Sequence, residues 1–315
     1  MNFVKTVGTF PSTNGRTNDA WYCYTPASGR VRAVVQLSHG MCVYVERYEP
    51  LADFLCSRDI AFCGHDHPGH GHSAPSPDEL GFMDEQDGAA LLVEDLHRMN
   101  GLAAGMFPGK PLLLLGHSMG SFVARAYLSR YASGLTGAII CGTSGGNPAA
   151  PAGKLLAKAV IRLRGSHYRS PLLNRLAFGA YNKPFGDNPP TPYEWLCKDR
   201  ALVDRYAADP FCAYIFTAAG FRDLFTLLTR VSARDWASSL PPGLPVLLIA
   251  GEKDPVGDFG KGVRKVAARL SKAGTRDLTL HLYPDGRHEI FNEPEKQQVF
   301  DDLLRWINGL VESKE

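Results

Sequence analysis

The sequence predicts an α/β fold in which helices flank a mostly parallel central sheet. Short apolar runs alternate with helical patterns through the first 145 of the 315 residues. These runs are almost continuously apolar, which is typical of parallel strands covered on both faces. The alternation stops near Gly146 and resumes near Leu244, so the pattern indicates a segment inserted into the sheet.

The individual elements follow from these patterns. Strands are predicted at 31–40, 60–66, 110–118, 135–145, 244–254 and 278–286. Helices are predicted at 48–58, 84–102, 121–132 and 294–312.

The interruption of the sheet pattern predicts a helical cap. Residues 147–236 contain helical stretches such as TPYEWLCKDRALVDRYA and Pro-rich joints such as NKPFGDNPPTP, with no convincing strand. We therefore expect an α/β core formed by 1–146 and 237–315, and a cap formed by 147–236.

Composition excludes several classes of protein. The 34 Lys and Arg nearly balance the 32 Asp and Glu, which gives no electrostatic reason to expect nucleic-acid binding. The longest apolar runs fall well short of the roughly 18 residues of a membrane span. Because the N-terminal segment has no secretory pattern, we expect a cytoplasmic protein. Its oligomeric state remains open.

A candidate nucleophile follows the strand PLLLLG. The segment GHSMGS has G-x-S-x-G spacing at Gly116, Ser118 and Gly120, and a helix begins immediately afterwards. A sharp strand-to-helix turn of this kind exposes the central hydroxyl at a helix N-terminus, which favours developing negative charge. The sequence therefore predicts Ser118 as a catalytic nucleophile.

A serine nucleophile needs a histidine to take its proton and an acid to orient that histidine. Asp254 ends the predicted strand VLLIAGEKD, and His288 follows the next strand in GRHEIFNE. Both are predicted as catalytic. The rival positions Glu252, Asp258 and His281 fit the expected strand ends less well.

Two backbone N–H groups must also bind the oxyanion of the tetrahedral intermediate. The Met119 amide directly follows the nucleophile, and the Met41 amide lies in the loop after AVVQLSHG. Both are predicted as oxyanion-hole donors.

Five motifs together resemble the α/β-hydrolase superfamily, and within it the monoacylglycerol lipase and lysophospholipase-like serine hydrolases. They are SHGMCVYVERYEPLADFL, GHDHPGHGHS, LLLLGHSMGSFVA, AGEKDPVG and GRHEIFNE. The resemblance implies the α/β-hydrolase fold and the same triad and oxyanion-hole residues. The chain departs from the family pattern in one loop. Relatives commonly carry a small residue, an acidic residue and a histidine before the Arg-Tyr pair, whereas this chain has Cys42-Val43-Tyr44 ahead of Arg47-Tyr48. Because this loop borders the expected oxyanion site, the change bears on recognition of the substrate head group more than on the chemistry.

The histidine-rich stretch GHDHPGHGHS raises the question of a metal site. Relatives have a D-x-x-G-x-G-x-S loop here, matched by Asp66, Gly69, Gly71 and Ser73. Since no Cys or second carboxylate completes a ligand set, we expect neither a metal nor any other cofactor. The imidazoles are interpreted as loop-packing and solvent-facing groups: His65, His67, His70 and His72.

The cap segment DPFCAYIFTAAGFRDLFTLL is rich in aromatic residues. An acyl-binding site is predicted from Phe211, Tyr214, Phe216, Phe221 and Phe225, although the same rings could simply attach the cap to the core. A basic stretch is interpreted mainly as a solvated helix face, with at most transient contact with lipid surfaces: Lys154, Lys158, Arg162, Arg164, Arg169 and Arg175.

The predicted function is hydrolysis of a lipid-like acyl ester, a small-molecule substrate, through an acyl-enzyme. An aminopeptidase or amidase is the alternative, for which acidic cap residues would bind a substrate ammonium: Glu194, Asp199, Asp204 and Asp209. A non-catalytic binding protein on the same fold is the third possibility.

Overall fold

The computed structural model describes residues 1–233 and 235–312. Within them a sheet has the strand order β1-β2-β4-β3-β5-β6-β7-β8. The strands are β1 (Phe3–Pro11), β2 (Asn18–Pro26), β3 (Ala33–Ser38), β4 (Ile60–His65), β5 (Leu112–His117), β6 (Gly137–Cys141), β7 (Val246–Gly251) and β8 (Leu278–Tyr283). The helices are α1 (Glu49–Cys56), α2 (Gly88–Met106), α3 (Met119–Tyr131), α4 (Ala150–Arg164), α5 (Pro171–Phe178), α6 (Arg200–Ala208), α7 (Ala218–Ser232), α8 (Lys261–Lys272) and α9 (Lys296–Glu312).

The predicted α/β class with a mostly parallel sheet is confirmed. All pairings from β4 to β8 are parallel, while β1 and β2 add an antiparallel edge. Strands β3 to β7 are buried along their whole length, as their continuous apolar pattern requires. The carboxyl ends of these strands meet at one edge, where ligands bind in open α/β sheets.

The N-terminal hairpin and two helices were not predicted. β1 is mostly exposed, so it has no apolar run to mark it, although Asn14-Gly15 between the two strands is a hairpin signal. Helices α5 and α8 were also missed. The segment TPYEWLCKDRALVDRYA is helical only from Arg200, where α6 begins after its N-cap Asp199.

Helices α4 to α7 lie between β6 and β7, where the sheet pattern is interrupted in the sequence. On this basis we propose that the chain divides as predicted, into an α/β core formed by 1–146 and 237–315 and a cap formed by 147–236. Residue 234 of that cap and residues 313–315 of that core lie outside the described residues. No helix in the described part is long and apolar enough to cross a membrane.

The start of α7 fastens the cap to the core. Thr217 caps α7 by accepting a hydrogen bond from the Gly220 amide at 3.0 Å, and its hydroxyl donates to the Gly81 carbonyl at 2.9 Å. A Cβ at Gly220 would overlap that same carbonyl oxygen, so the helix approaches the core loop at a distance only glycine allows.

Replacement of Thr217 by Val should lower the free energy of unfolding by about 1–2 kcal/mol, because it removes the acceptor of the buried Gly220 amide and leaves the Gly81 carbonyl with only the Thr217 amide as a donor among the described residues. Urea denaturation of both proteins measures the difference. Thr229→Val is the matched control, since among residues 1–233 and 235–312 the Thr229 hydroxyl bonds only the Phe225 carbonyl of its own helix. An equal loss in both variants would contradict the docking role of Thr217.

Candidate active site

Ser118 lies at a strained turn between β5 and α3. Its backbone has φ 56° and ψ −123°, a conformation that a residue with a side chain adopts only when its surroundings enforce it. A Cβ at Gly116 would come within 2.6 Å of Ala124 Cβ, and one at Gly120 would overlap the Ser38 carbonyl. The two glycines of G-x-S-x-G therefore let β3, β5 and α3 approach closely enough to form this turn.

Asp254 and His288 meet at the carboxyl ends of β7 and β8. His288 Nδ1 lies 2.9 Å from Asp254 Oδ2, and both side chains are buried. The second carboxylate oxygen accepts a hydrogen bond from the Val256 amide at 2.8 Å. A carboxylate held in this way fixes the tautomer and orientation of the imidazole.

Ser118 and His288 line the same cavity. The rival residues lie elsewhere. Glu252 pairs with Arg264 on the surface, Asp258 is exposed, and His281 lies within β8 at 3.6 Å from Asp302.

Met41 and Met119 also line this cavity. Neither backbone amide has a hydrogen-bond acceptor among the described residues. Met119 is the first residue of α3, where the helix dipole adds to the attraction for an anion. The two amides are thus available to an oxyanion formed at Ser118.

The cavity lies beneath the cap and contains about 1380 Å³ of space free of protein atoms, its open mouth included. Of the aromatic residues predicted to bind substrate, Tyr214 and Phe225 line it. Phe211 instead packs against Tyr44 and His72, and Phe216 and Phe221 are fully buried behind the wall. Sequence reasoning could not separate these groups: even Phe221 and Phe225, which lie four residues apart on one face of α7, differ in whether they reach the cavity, because that depends on how the cap packs. Further lining comes from residues not singled out in the sequence: Phe122, Phe178, Tyr181, Trp195, Leu224 and Leu228.

The cap also holds the loop that carries His288. The amide of His288 donates to the Trp195 carbonyl at 3.3 Å, and the amide of Glu289 donates to the Leu196 carbonyl at 2.7 Å. The ring of Trp195 lies 5.0 Å from that of His288. Residues 195 and 196 gave no sequence signal, since they act through their backbone.

Two further pairs support the same loop. The His288 carbonyl accepts a hydrogen bond from His117 Nε2 at 3.2 Å, so His117 Nδ1 is unprotonated and accepts one from the Tyr48 hydroxyl at 2.7 Å. Burial, reinforced by His288, lowers the pKa of His117 to about 4. Burial would raise the pKa of Glu289, but the Arg47 guanidinium at 3.0 Å holds it below its usual value.

Residues 42–44, which depart from the pattern of the relatives, join the core to the cap. The Tyr44 hydroxyl donates to Asp209 at 2.9 Å, and the Cys42 thiol contacts the Tyr214 carbonyl at 3.5 Å. These residues thus hold the cap in place, while Cys42 and Val43 also form part of the cavity wall.

The histidine-rich loop packs behind residues 39–44, the segment that carries the candidate donor Met41 and is here called the oxyanion side of the cavity. Asp66 accepts hydrogen bonds from the amides of Val45 and His72 at 2.8 and 2.9 Å, which shapes the loop. Three of its histidines are fully buried, namely His65, His67 and His70, and His72 is exposed. Most of these imidazoles are therefore packing groups, and His72 faces solvent. Among the described residues, no group of three or more potential ligands is arranged to hold a metal.

Comparison with known proteins identifies the family. The model described as "Serine aminopeptidase, S33" matches residues 29–295. The chain belongs to this family. A monoacylglycerol lipase of Mycolicibacterium smegmatis is 30% identical over 282 residues, covering 88% of each chain. Human monoglyceride lipase is 28% identical over 300 residues, covering 90% of this chain and 85% of that protein.

Solved structures agree with the fold. A thermostable carboxyl esterase from Bacillus coagulans, in complex with glycerol, matches with a TM-score of 0.91 and 28% identity over 98% of this chain and 99% of that one. A soluble variant of the Saccharomyces cerevisiae monoglyceride lipase has a TM-score of 0.75, covers 97% and 94% of the chains and, at 20% identity, supports the fold alone. The predicted resemblance to an α/β-hydrolase of the monoglyceride lipase type, and the predicted class of serine ester hydrolase, are confirmed.

Stability should fall as pH falls from about 6.5 towards 4. Burial lowers the pKa of five histidines. The pKa falls to about 4 for His65, His70 and His117. It falls well below the usual value for His39 and His67. The unfolded chain, with histidine pKa values near 6.5, binds these protons first, so acid favours unfolding. Burial raises the pKa of Asp19 to about 9 and that of Asp223 to about 7, and both partly offset this effect.

Chemical denaturation at pH 6.5 and pH 5.5 should show a loss of roughly 2 kcal/mol in the free energy of unfolding. His70→Gln should show a weaker dependence on pH, because it removes one of the titrating groups. Unchanged or greater stability at pH 5.5 would contradict neutral, buried imidazoles.

Proposed function

We propose that this protein hydrolyses carboxylic esters of an apolar acyl chain through Ser118, His288 and Asp254. The observation that carries the proposal is that a strained, cavity-lining serine shares that cavity with a histidine oriented by a buried carboxylate. Such a constellation is the template of nucleophilic acyl transfer.

The proposed reaction has two halves. Ser118 Oγ attacks the ester carbonyl while His288 Nε2 takes its proton, and the Met41 and Met119 amides bind the resulting oxyanion. His288 then gives the proton to the leaving alcohol, which leaves an acyl-enzyme. Water, deprotonated by His288, attacks the acyl-enzyme to form a second tetrahedral intermediate. As this intermediate collapses, His288 gives the proton to Ser118 Oγ and the fatty acid is released. Asp254 keeps Nδ1 protonated and stabilises the imidazolium in both halves.

The cavity lining supports a lipid-like acyl group. Aromatic and aliphatic side chains from α3, α5, α7 and the loops between the cap helices supply most of the wall, which favours a hydrocarbon chain. A few polar side chains at the same cavity can hydrogen-bond the alcohol of the ester: Ser144, Asn147, Asn174 and Tyr193. Together with the names of the relatives, this favours a monoacylglycerol, with a lysophospholipid as the nearest alternative.

The contacts of the acidic cap residues disfavour an aminopeptidase, which would need a carboxylate for the substrate ammonium. Glu194 and Asp204 pair with Arg200, Asp199 caps α6, and Asp209 accepts the Tyr44 hydroxyl. Glu289 is the acidic residue among those lining the cavity, and its charge is neutralised by Arg47.

Contact with lipid surfaces stays a prediction. Helices α4 and α5 expose four leucines beside the basic residues noted above, which would allow at most transient binding: Leu155, Leu163, Leu172 and Leu176.

Ser118→Ala should reduce hydrolysis of p-nitrophenyl esters by at least about 10³-fold and abolish labelling by a fluorophosphonate. Ser129→Ala is the matched control, because Ser129 lies on the same helix and, within the described part of the chain, its hydroxyl bonds only the Ala126 carbonyl. Hydrolysis that survives in Ser118→Ala, in folded protein, would refute the proposed nucleophile.

Phe225→Ala should raise the KM for a decanoyl ester about 5- to 10-fold and change that for an acetyl ester little, because only a longer chain would reach the removed ring. Phe221→Ala is the control: Phe221 lies one turn away on α7, fully buried and outside the cavity lining. It should lower stability without changing chain-length preference. A uniform effect of Phe225→Ala on both esters would argue against an acyl site here.

A further inference from the structure

The hydrogen bonds of His39 determine its protonation state. His39 Nδ1 lies 2.8 Å from the Gly40 carbonyl, and His39 Nε2 accepts the amide of His67 at 2.8 Å. Since a carbonyl only accepts and an amide only donates, Nδ1 carries the proton and Nε2 does not. His39 is therefore neutral and uses both ring nitrogens.

This arrangement fixes the peptide group between Gly40 and Met41. In a trans peptide the carbonyl and the following N–H point in opposite directions. Because the Gly40 carbonyl is held by His39 Nδ1, the Met41 N–H points away from the His39 ring. It has no acceptor among the described residues, and Met41 lines the cavity beside Ser118.

The position of this peptide is fixed as closely as its orientation. A Cβ at Gly40 would lie 3.1 Å from Ser118 Cβ and 3.6 Å from its Oγ, so the Gly40 backbone packs against the nucleophile. The contact of Gly120 with the carbonyls of Ser38 and His39 holds the same loop against α3. The remaining freedom is rotation of the 40–41 peptide plane, which the His39 side chain prevents.

We propose that His39 is a positioning residue that locks the Gly40–Met41 peptide with its N–H towards the oxyanion. This rests on the proposed function, since it concerns the donor that binds the tetrahedral intermediate. His39 itself touches neither substrate nor the reacting atoms.

The surroundings of His39 keep it in this state. The ring is fully buried, with the rings of His67 and His70 at 4.3 and 5.3 Å. Burial, and then the neighbouring His70, lowers the pKa of His39 well below its usual value. His67 is itself held by Ser38, whose hydroxyl lies 3.0 Å from His67 Nε2.

Two substitutions separate the two bonds of His39. His39→Asn keeps a donor near the position of Nδ1 and loses the acceptor for His67. His39→Gln keeps an acceptor near Nε2 and loses the donor to Gly40. If the bond to Gly40 matters for catalysis, kcat should stay within about 10-fold of wild type in His39→Asn and fall about 10²-fold or more in His39→Gln and His39→Ala, with little change in KM.

A second readout tests the oxyanion directly. A trifluoromethyl ketone forms a hemiketal oxyanion with the serine, whereas the matching carbinol binds without one. His39→Gln should lower the affinity for the ketone by about the same factor by which it lowers kcat/KM, and it should leave the affinity for the carbinol unchanged. Greater activity in His39→Gln than in His39→Asn would overturn the proposal. So would parallel losses of ketone and carbinol binding, or loss of folding in both His39→Gln and His39→Ala.

Ser118→Ala, measured alongside, separates this proposal from the proposed function. If Ser118→Ala is inactive while all His39 variants retain wild-type kcat, the positioning role alone fails. If Ser118→Ala remains active, the proposed function fails and the role of His39 with it.

Discussion

The close approach of α3 to β3 is the constraint on which the site depends. Gly120 lets the first turn of the helix lie directly on the carbonyls of Ser38 and His39, and Gly116 lets β5 turn sharply into α3. The positive φ of Ser118 costs on the order of 1–3 kcal/mol, which the buried strands and the helix around it must offset. This one contact brings the serine, the free amide of Met119 and the loop of Met41 to the same cavity.

The cap forms part of the same site as well as covering it. Backbone bonds from residues 195 and 196 support the loop of His288, and Tyr44 connects the oxyanion-side loop to Asp209. Movement of the cap would therefore alter the position of the imidazole as well as access to the cavity. A cap attached in this way couples the apolar wall of the cavity to the loop of His288.

Buried imidazoles give the oxyanion side its rigidity. His39 and His67 are neutral because burial disfavours their charged form, and as neutral rings they can both donate and accept hydrogen bonds. The His39 ring joins the Gly40 carbonyl to the His67 amide, and His67 Nε2 bonds the Ser38 hydroxyl. The same burial lowers the pKa of both rings, so their neutral state and their hydrogen bonding have one cause.

The sequence by itself determined the parallel sheet and the candidate triad, because both depend on local patterns. Continuous apolar runs reflect burial on both faces, and Ser118, Asp254 and His288 each follow such a run. Tertiary structure alone decided which cap aromatics line the cavity, since the direction of Phe221 and Phe225 depends on how α7 packs. It also decided the role of the histidine-rich stretch: His67 packs against Ser38 and His39, and His70 against Tyr214 and Phe216, and residue spacing carries no information about these contacts.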